Sequence, residues 1–263
     1  MYAFTYERPA SLGQALSLLA AGGQAFAGGQ TLLASMKQRL LAPEQLVDLS
    51  ALSELQGIRQ SGDSWMVGAF TRHQELAEHA GLRAALPGLA ALAGGIGDRQ
   101  VRAMGTLGGS VANNDPAACY PSAVLALGAT VHTDRRQIAA DDFFQGMYTT
   151  ALEPGEVITA IAFPKALRSA YAKFKQPASR FALVGVFVAQ TAAGVRVAVT
   201  GAGNGVFRHA GLEAALSQRF TPEAVADVVI DASELNADLH ASADYRAHLI
   251  KVQTQRAVQQ ALA

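Results

Sequence analysis

One cysteine, one tryptophan and no surplus of either charge mark what this 263-residue sequence does without. Cys119 alone can form no internal disulfide, no four-cysteine iron–sulfur site and no cysteine-rich zinc site. That sets aside a disulfide-stapled secreted domain and a self-contained metal centre. The 21 basic side chains cancel the 21 acidic ones, and no run of five like charges occurs, so no field draws in a polyphosphate backbone and nucleic-acid binding is disfavoured. The apolar runs fall short of a membrane span, and Met1 to Pro9 shows no basic flank followed by an apolar core. The expectation is a cytoplasmic chain with no membrane span. The six histidines (His73, His79, His132, His209, His240, His248) form no His-Glu-x-x-His pattern, and Ser110 lacks the Gly-x-Ser-x-Gly elbow. They read as surface or satisfied polar residues. Asp115, Asp141 and Asp142 read as caps or turn residues, and Cys119 as a small buried hydrophobe without an activating partner. No catalytic residue and no metal ligand is singled out.

What is present is an apolar half, 50% of 27.4 kDa, enough to bury about 70% of the unfolded surface without staples. The first fifty residues alternate short elements. A helical run spans Ser11 to Ala20, a strand ends at Ala27, a second helical pattern runs from Thr31 to Leu40, and Gln45 to Leu49 reads as a strand. From Leu55 the texture changes to paired strands about Ser61-Gly62-Asp63-Ser64, then helices from Thr71 and from Pro87. Gly94 to Asn114 reads as too loop-like for core. Ser122 to Leu127 is helical behind Pro121, and short strands reach Pro164. A third texture begins near Tyr171: a hairpin of Phe181 to Ala189 and Val195 to Thr200, then three helical segments. Ser242 is the expected N-cap of the last, with Tyr245, Leu249 and Val252 on one stripe.

The strongest chemical signal is Ala27-Gly28-Gly29-Gln30-Thr31, set between a strand and a helix start. Glycine permits positive φ and close backbone approach, and free N–H groups there favour anions. A tight turn needing small residues is the plain alternative. A second turn of the same kind, Thr106-Leu107-Gly108-Gly109-Ser110, raises the prospect of two turns facing each other and holding a diphosphate through N–H and O–H donors. Thr200-Gly201-Ala202-Gly203-Asn204-Gly205-Val206 is a decoy for a nicotinamide fingerprint: its third glycine is displaced and its strand belongs to a hairpin.

With both turns in place, the sequence resembles the flavin-carrying medium subunits of the molybdenum hydroxylases, of the aerobic carbon monoxide dehydrogenase type, and is similar to the central FAD segment of xanthine dehydrogenases. The matching blocks are Ala27 to Leu33, Gln100 to Ser110, Phe143 to Gly146 with Gly155 to Ile158, Tyr171 to Phe174, Pro177 to Ala182 and Ser242 to Leu249. The resemblance implies an α+β fold. Residues 1–168 would form a two-part FAD-binding domain of the vanillyl-alcohol oxidase (PCMH) type, with subdomains of about 1–54 and 55–168, and residues 169–263 an α+β domain with an antiparallel sheet and helices. It implies that Ala27, Gly28, Gly29, Gln30, Thr31 and Leu32, with Thr106, Leu107, Gly108, Gly109 and Ser110, hold the FAD diphosphate. Ile96 and Leu152 would lie near the isoalloxazine ring and Lys173 near its polar edge. Gln100, Asn113 and Asp115 join the expected cofactor set. Cys119 stands where many members place an aspartate on the ribityl chain; a thiol is a weaker donor without fixed charge. The molybdenum cofactor and [2Fe-2S] clusters would reside on a large and a small partner subunit, with electrons leaving to an external acceptor. Two other readings stay open: a free-standing flavin oxidoreductase, for which no acid or base over the ring is evident, and a flavin-free scaffold subunit.

Overall fold

The computed structural model describes residues 1–263. The N-terminal unit contains β1 (Thr5–Glu7), α1 (Leu12–Ala20), β2 (Gln24–Phe26), α2 (Leu32–Lys37) and β3 (Gln45–Asp48), with the strands parallel in the order β1-β3-β2. Ser11 caps α1 by accepting from the Gln14 amide at 3.3 Å, and the helix buries Ala15 and Leu19 against Val47 and Leu49. The helix expected from Thr31 to Leu40 ends at Lys37, because Arg39 adopts a left-handed φ of 62° that breaks the helical ladder.

The middle unit begins with the expected hairpin, β4 (Ile58–Ser61) and β5 (Ser64–Gly68). Six short helices follow: α3 (His73–Glu78), α4 (Ala80–Ala85), α5 (Pro87–Gly94), α6 (Arg99–Met104), α7 (Leu107–Asn113) and α8 (Tyr120–Ala126). Then come β6 (Thr130–Thr133), β7 (Gln137–Ala139), α9 (Ala140–Phe143), the small pair β8 (Phe144–Gly146) and β9 (Thr149–Thr150), and β10 (Ile158–Pro164). The sheet order β4-β5-β10-β6-β7 is antiparallel throughout, and the late strand β10 inserts between β5 and β6. The reading of Gly94 to Asn114 as outside the core is corrected: α6 and α7 occupy it, and Leu107, Gly108 and Val111 are fully buried. Its glycines misled because they serve close approach rather than a loop; a Cβ on Gly108 would stand 2.6 Å from that of Ala69.

The C-terminal unit is an antiparallel sheet of β11 (Arg168–Lys175), β12 (Ala182–Thr191), β13 (Gly194–Thr200) and β14 (Phe207–Arg208), with α10 (Ala210–Gln218) and α11 (Ala243–Leu262). β12 is buried on both faces, which explains its continuous apolar run. Val184, Val186 and Val188 pack with Leu249 and Ile250 of α11, while Phe187 and Ala189 join the core built on α5 and α8. Each such valine, leucine, isoleucine or phenylalanine contributes about 1.5–3 kcal/mol on full burial. The units meet tightly: a Cβ on Gly88 of α5 would lie 2.8 Å from the Ala170 amide of β11. Ser242 caps α11 as expected, but the buried stripe runs through Arg246, Leu249, Ile250, Gln253, Thr254 and Ala257, leaving Tyr245 exposed. Arg246 turns inward because its guanidinium has carbonyls to meet there. The nicotinamide decoy lies at the end of antiparallel β13, where the Gly201 amide donates to Pro116 O at 2.7 Å.

No helix is long and apolar enough to cross a membrane.

Candidate functional site

The two glycine turns abut. A Cβ on Gly28 would stand 2.3 Å from the Met104 carbonyl oxygen and 2.7 Å from Gly105 Cα, so the first turn rests on the backbone leading into the second. A Cβ on Gly109 would lie 3.8 Å from that of Ala27. Gly29 takes φ +68°, and Gln30 Nε2 donates to Gly28 O at 2.9 Å, holding the turn's shape. The backbone N–H groups of Gly28, Gly29, Gln30, Thr31 and Leu32 have no acceptor within the chain. Five consecutive unspent donors on one turn make a concavity for an anion; Gly28 is buried and Gly29 and Leu32 half-buried, where amides otherwise find partners, while Gln30 and Thr31 are exposed.

The second turn works differently from expectation. Leu107 N donates to Thr71 O at 3.0 Å, Gly108 N to Ala69 O at 2.8 Å, Gly109 N to Thr106 Oγ1 at 3.2 Å and Ser110 N to Thr106 O at 3.1 Å. Those amides are spent on the fold, so this turn offers close backbone approach and the Ser110 hydroxyl.

Both turns line one cavity of about 590 Å³, within the range of small-ligand and cofactor sites. The three units all contribute walls. Ala27, Gly28, Gly29, Gln30, Thr31 and Leu32 line it from the first; Ile96, Thr106, Gly108, Gly109, Ser110, Asn113, Asp115 and Leu152 from the second; Lys173 from the third. Two expected residues lie elsewhere. Leu107 is fully buried in the central core and does not line the cavity, and Gln100 is exposed on α6.

The reading of Cys119 as a thiol without a partner is also corrected. Its side chain is buried as expected, but it lines the cavity with Sγ 3.4 Å from Lys173 Nζ. Lys173 also donates to Gly95 O at 2.8 Å and Arg180 O at 3.1 Å, tying β11 to the α5–α6 loop. His73, read as surface or satisfied, is 4% exposed, lines the cavity and has no partner for Nδ1. Burial first, and the Arg102 guanidinium second, lower its pKa to about 4, so the imidazole is neutral at pH 7. Of the wall carboxylates, Asp115 accepts from Ala117 N at 2.8 Å, and Glu156 is paired with Arg136 at 3.0 Å, which together with other donors holds it at about 2.

Sequence reasoning missed Tyr148, Arg180 and Phe181, which also line the cavity. Tyr148 and Arg180 have φ of 53° and 62°, left-handed values that non-glycine residues seldom adopt. Asn114, itself at φ 43°, holds the loop that carries Tyr148: its Nδ2 donates to Gly146 O and Thr149 O, each at 2.8 Å, and its carbonyl accepts from Tyr148 N at 3.1 Å. Strained backbone gathered about a cavity marks a functional site, and no local sequence pattern announces it.

These residues fit an extended dinucleotide such as FAD. The unspent amides suit a diphosphate, the apolar Ile96 and Leu152 suit a ring system, and Lys173 and Arg180 add positive charge without paired carboxylates.

The family sequence model described as "FAD binding domain in molybdopterin dehydrogenase" matches residues 2–166. The chain is 36% identical to the carbon monoxide dehydrogenase medium chain of Hydrogenophaga pseudoflava, covering 99% of this chain and 97% of that one. It is 32% identical to the nicotine 6-hydroxylase medium subunit of Paenarthrobacter nicotinovorans, covering 98% and 97%. Superposition on a chain of the solved carbon monoxide dehydrogenase of Hydrogenophaga pseudoflava gives a TM-score of 0.91 at 35% identity, over 99% of this chain and 98% of that chain.

Proposed function

This chain belongs to the family of FAD-binding medium subunits of the molybdenum hydroxylases, and from that premise we propose that it is the electron-transfer subunit of such a complex. FAD, when bound, would supply the redox chemistry between iron–sulfur clusters of a small partner subunit and an external acceptor. The large partner subunit would carry the molybdenum cofactor and the substrate chemistry.

This chain's own part is to bind, orient and bias. The observation that carries the reading is the row of unspent amides from Gly28 to Leu32 at the mouth of a cavity lined by all three units. Those donors would hold the diphosphate, Ser110 would add a hydroxyl, and Ile96 and Leu152 would offer apolar surface to the ring. Lys173 and Arg180 favour negative charge on whatever lies between them, since no carboxylate neutralises either. The single cysteine supports the division of labour, because this chain cannot hold the clusters itself.

We divide the chain into an FAD-binding domain of 1–168, with subdomains near 1–54 and 55–168, and a C-terminal domain of 169–263; three sheets centre on these parts, while the central core also takes in Tyr171, Phe187, Ala189 and Ala198 across the second boundary. Lys173 and Arg180 close the cavity from the C-terminal part, so both domains are needed for the complete site. We place the complex in the cytoplasm.

The test is the visible spectrum of the purified chain before and after adding FAD, followed by co-purification of its partners. Stoichiometric FAD, with a large molybdenum chain and a small cysteine-rich chain recovered alongside, is expected. A folded chain that takes up no FAD in excess refutes the reading.

A further inference from the structure

Lys173 is the one ammonium built into the cavity wall, and each of its three protons has an acceptor. Two go to carbonyls, Gly95 O at 2.8 Å and Arg180 O at 3.1 Å, and the third to the Cys119 thiol at 3.4 Å. Carbonyls and a thiol orient an ammonium without cancelling its charge. None of the chain's ion pairs includes Lys173 or Arg180. The neighbour on the other side of Cys119 adds no anion either: burial first, and Cys119 second, push the Tyr171 phenol well above its usual range, so it stays protonated. Lys173 is half-buried in this wall, and an uncancelled charge there is screened less than one on the open surface.

We infer that Cys119 is a positioning residue for the redox balance of the cofactor: its thiol fixes Lys173 Nζ against the cavity without neutralising it, and the lysine's charge then favours the reduced, more negative form of FAD. This rests on the FAD reading above. A carboxylate in the same place would hold the ammonium equally well and remove its effect. The structure thus separates two roles that an ion pair would merge, orientation and neutralisation.

The experiment is a dye-equilibration titration of the FAD-loaded full chain, comparing wild type with C119D, C119N, C119S and K173Q. C119D is expected to shift the equilibrium at least tenfold toward oxidised FAD, equivalent to about 30 mV for a two-electron couple. K173Q is expected to shift it the same way. C119N and C119S, which keep an uncharged polar group, are expected to stay within about twofold of wild type, a small step on the same scale. The inference is overturned if C119D with bound FAD stays within about twofold, or if C119N shifts as far as C119D, since shape and not charge would then matter. It is equally overturned if C119S moves the equilibrium toward reduced FAD, which would reveal a thiolate already pairing the lysine. Should C119D fail to bind FAD, K173Q and C119N decide together: an unchanged potential in K173Q, or a C119N shift as large as that of K173Q, overturns the inference, and a tenfold shift in K173Q with C119N within about twofold of wild type supports it. A wild-type chain that binds no FAD refutes the underlying reading instead, and the spectrum before titration distinguishes that case.

Discussion

Adding one methyl group at Gly28 tests the contact on which the candidate site is built. The new Cβ would stand 2.3 Å from the Met104 carbonyl oxygen, and must retreat by roughly 1 Å to reach ordinary contact. That carbonyl ends α6 and has little freedom. The next residue is fixed on both sides, with Gly105 N donating to Val101 O at 2.7 Å and Gly105 O accepting from His73 N at 3.0 Å. The glycine turn must therefore lift instead, carrying its five unspent amides with it. Overpacking of this kind costs about 1–3 kcal/mol. For a chain of this size, at about 2–4 °C per kcal/mol, Gly28→Ala is expected to lower Tm by roughly 2–12 °C. FAD affinity should fall at least tenfold, about 1.4 kcal/mol, because the donors leave their positions. Gly94→Ala is the matched control: its Cβ would meet only Ala77 Cβ, at 3.7 Å, and alanine suits a helix end better than glycine. It should be neutral or stabilising by up to about 1 kcal/mol. Calorimetry and fluorescence titration with FAD read both quantities. A Gly28→Ala chain that melts within about 1 °C of wild type and binds FAD normally would refute the seating of the first turn on residues 104–105.

His73 makes stability depend on pH with a predictable sign. Its folded pKa of about 4 lies below the unfolded value near 6.5, so between these the unfolded chain binds more protons and stability falls as pH falls through that window. His73→Phe keeps a ring against Tyr120 but removes the titration, so its Tm should vary less between pH 6.5 and 4.5 than that of wild type; parallel curves would exclude a buried neutral imidazole. In the C-terminal sheet, Arg246 Nη1 donates to Leu183 O and Gly201 O, each at 2.8 Å, and Nη2 to Asp238 at 2.7 Å. Arg246→Met strands two buried carbonyls and is expected to cost about 2–4 kcal/mol in urea unfolding, and a loss under about 0.5 kcal/mol would show them satisfied otherwise.

Much of the local structure was legible because it is encoded locally. Apolar segments flanking the turn residues Gly62-Asp63 and Ala192-Ala193 announce the two hairpins, and Ser11 and Ser242 announce the helix starts that they cap. The glycine turns stood out because runs such as Gly28-Gly29 are costly unless something needs them. The failures share one cause. Gly94 to Asn114 looked like loop since its glycines answer to residues far away in sequence, Gly105 to His73 and Gly108 to Ala69. The stripe of α11 was misplaced because hydropathy puts Arg246 outside, whereas the carbonyls of Leu183 and Gly201 draw it in.

By itself the sequence determined the elements, the two glycine turns, the family resemblance and, through a single cysteine, that no iron–sulfur cluster is held here. Tertiary structure alone decided which amides remain unspent. The two turns look alike as strings, yet the second spends its donors on Thr71 and Ala69 and the first spends none. It alone also brought Cys119 to Lys173, 54 residues away, and set the imidazole of His73 to its neutral form by burying it. Periodicity and turn chemistry act over a few residues and can be read along the chain. Hydrogen-bond satisfaction and charge balance are sums over neighbours in space, and they take a value only once the chain has closed on itself.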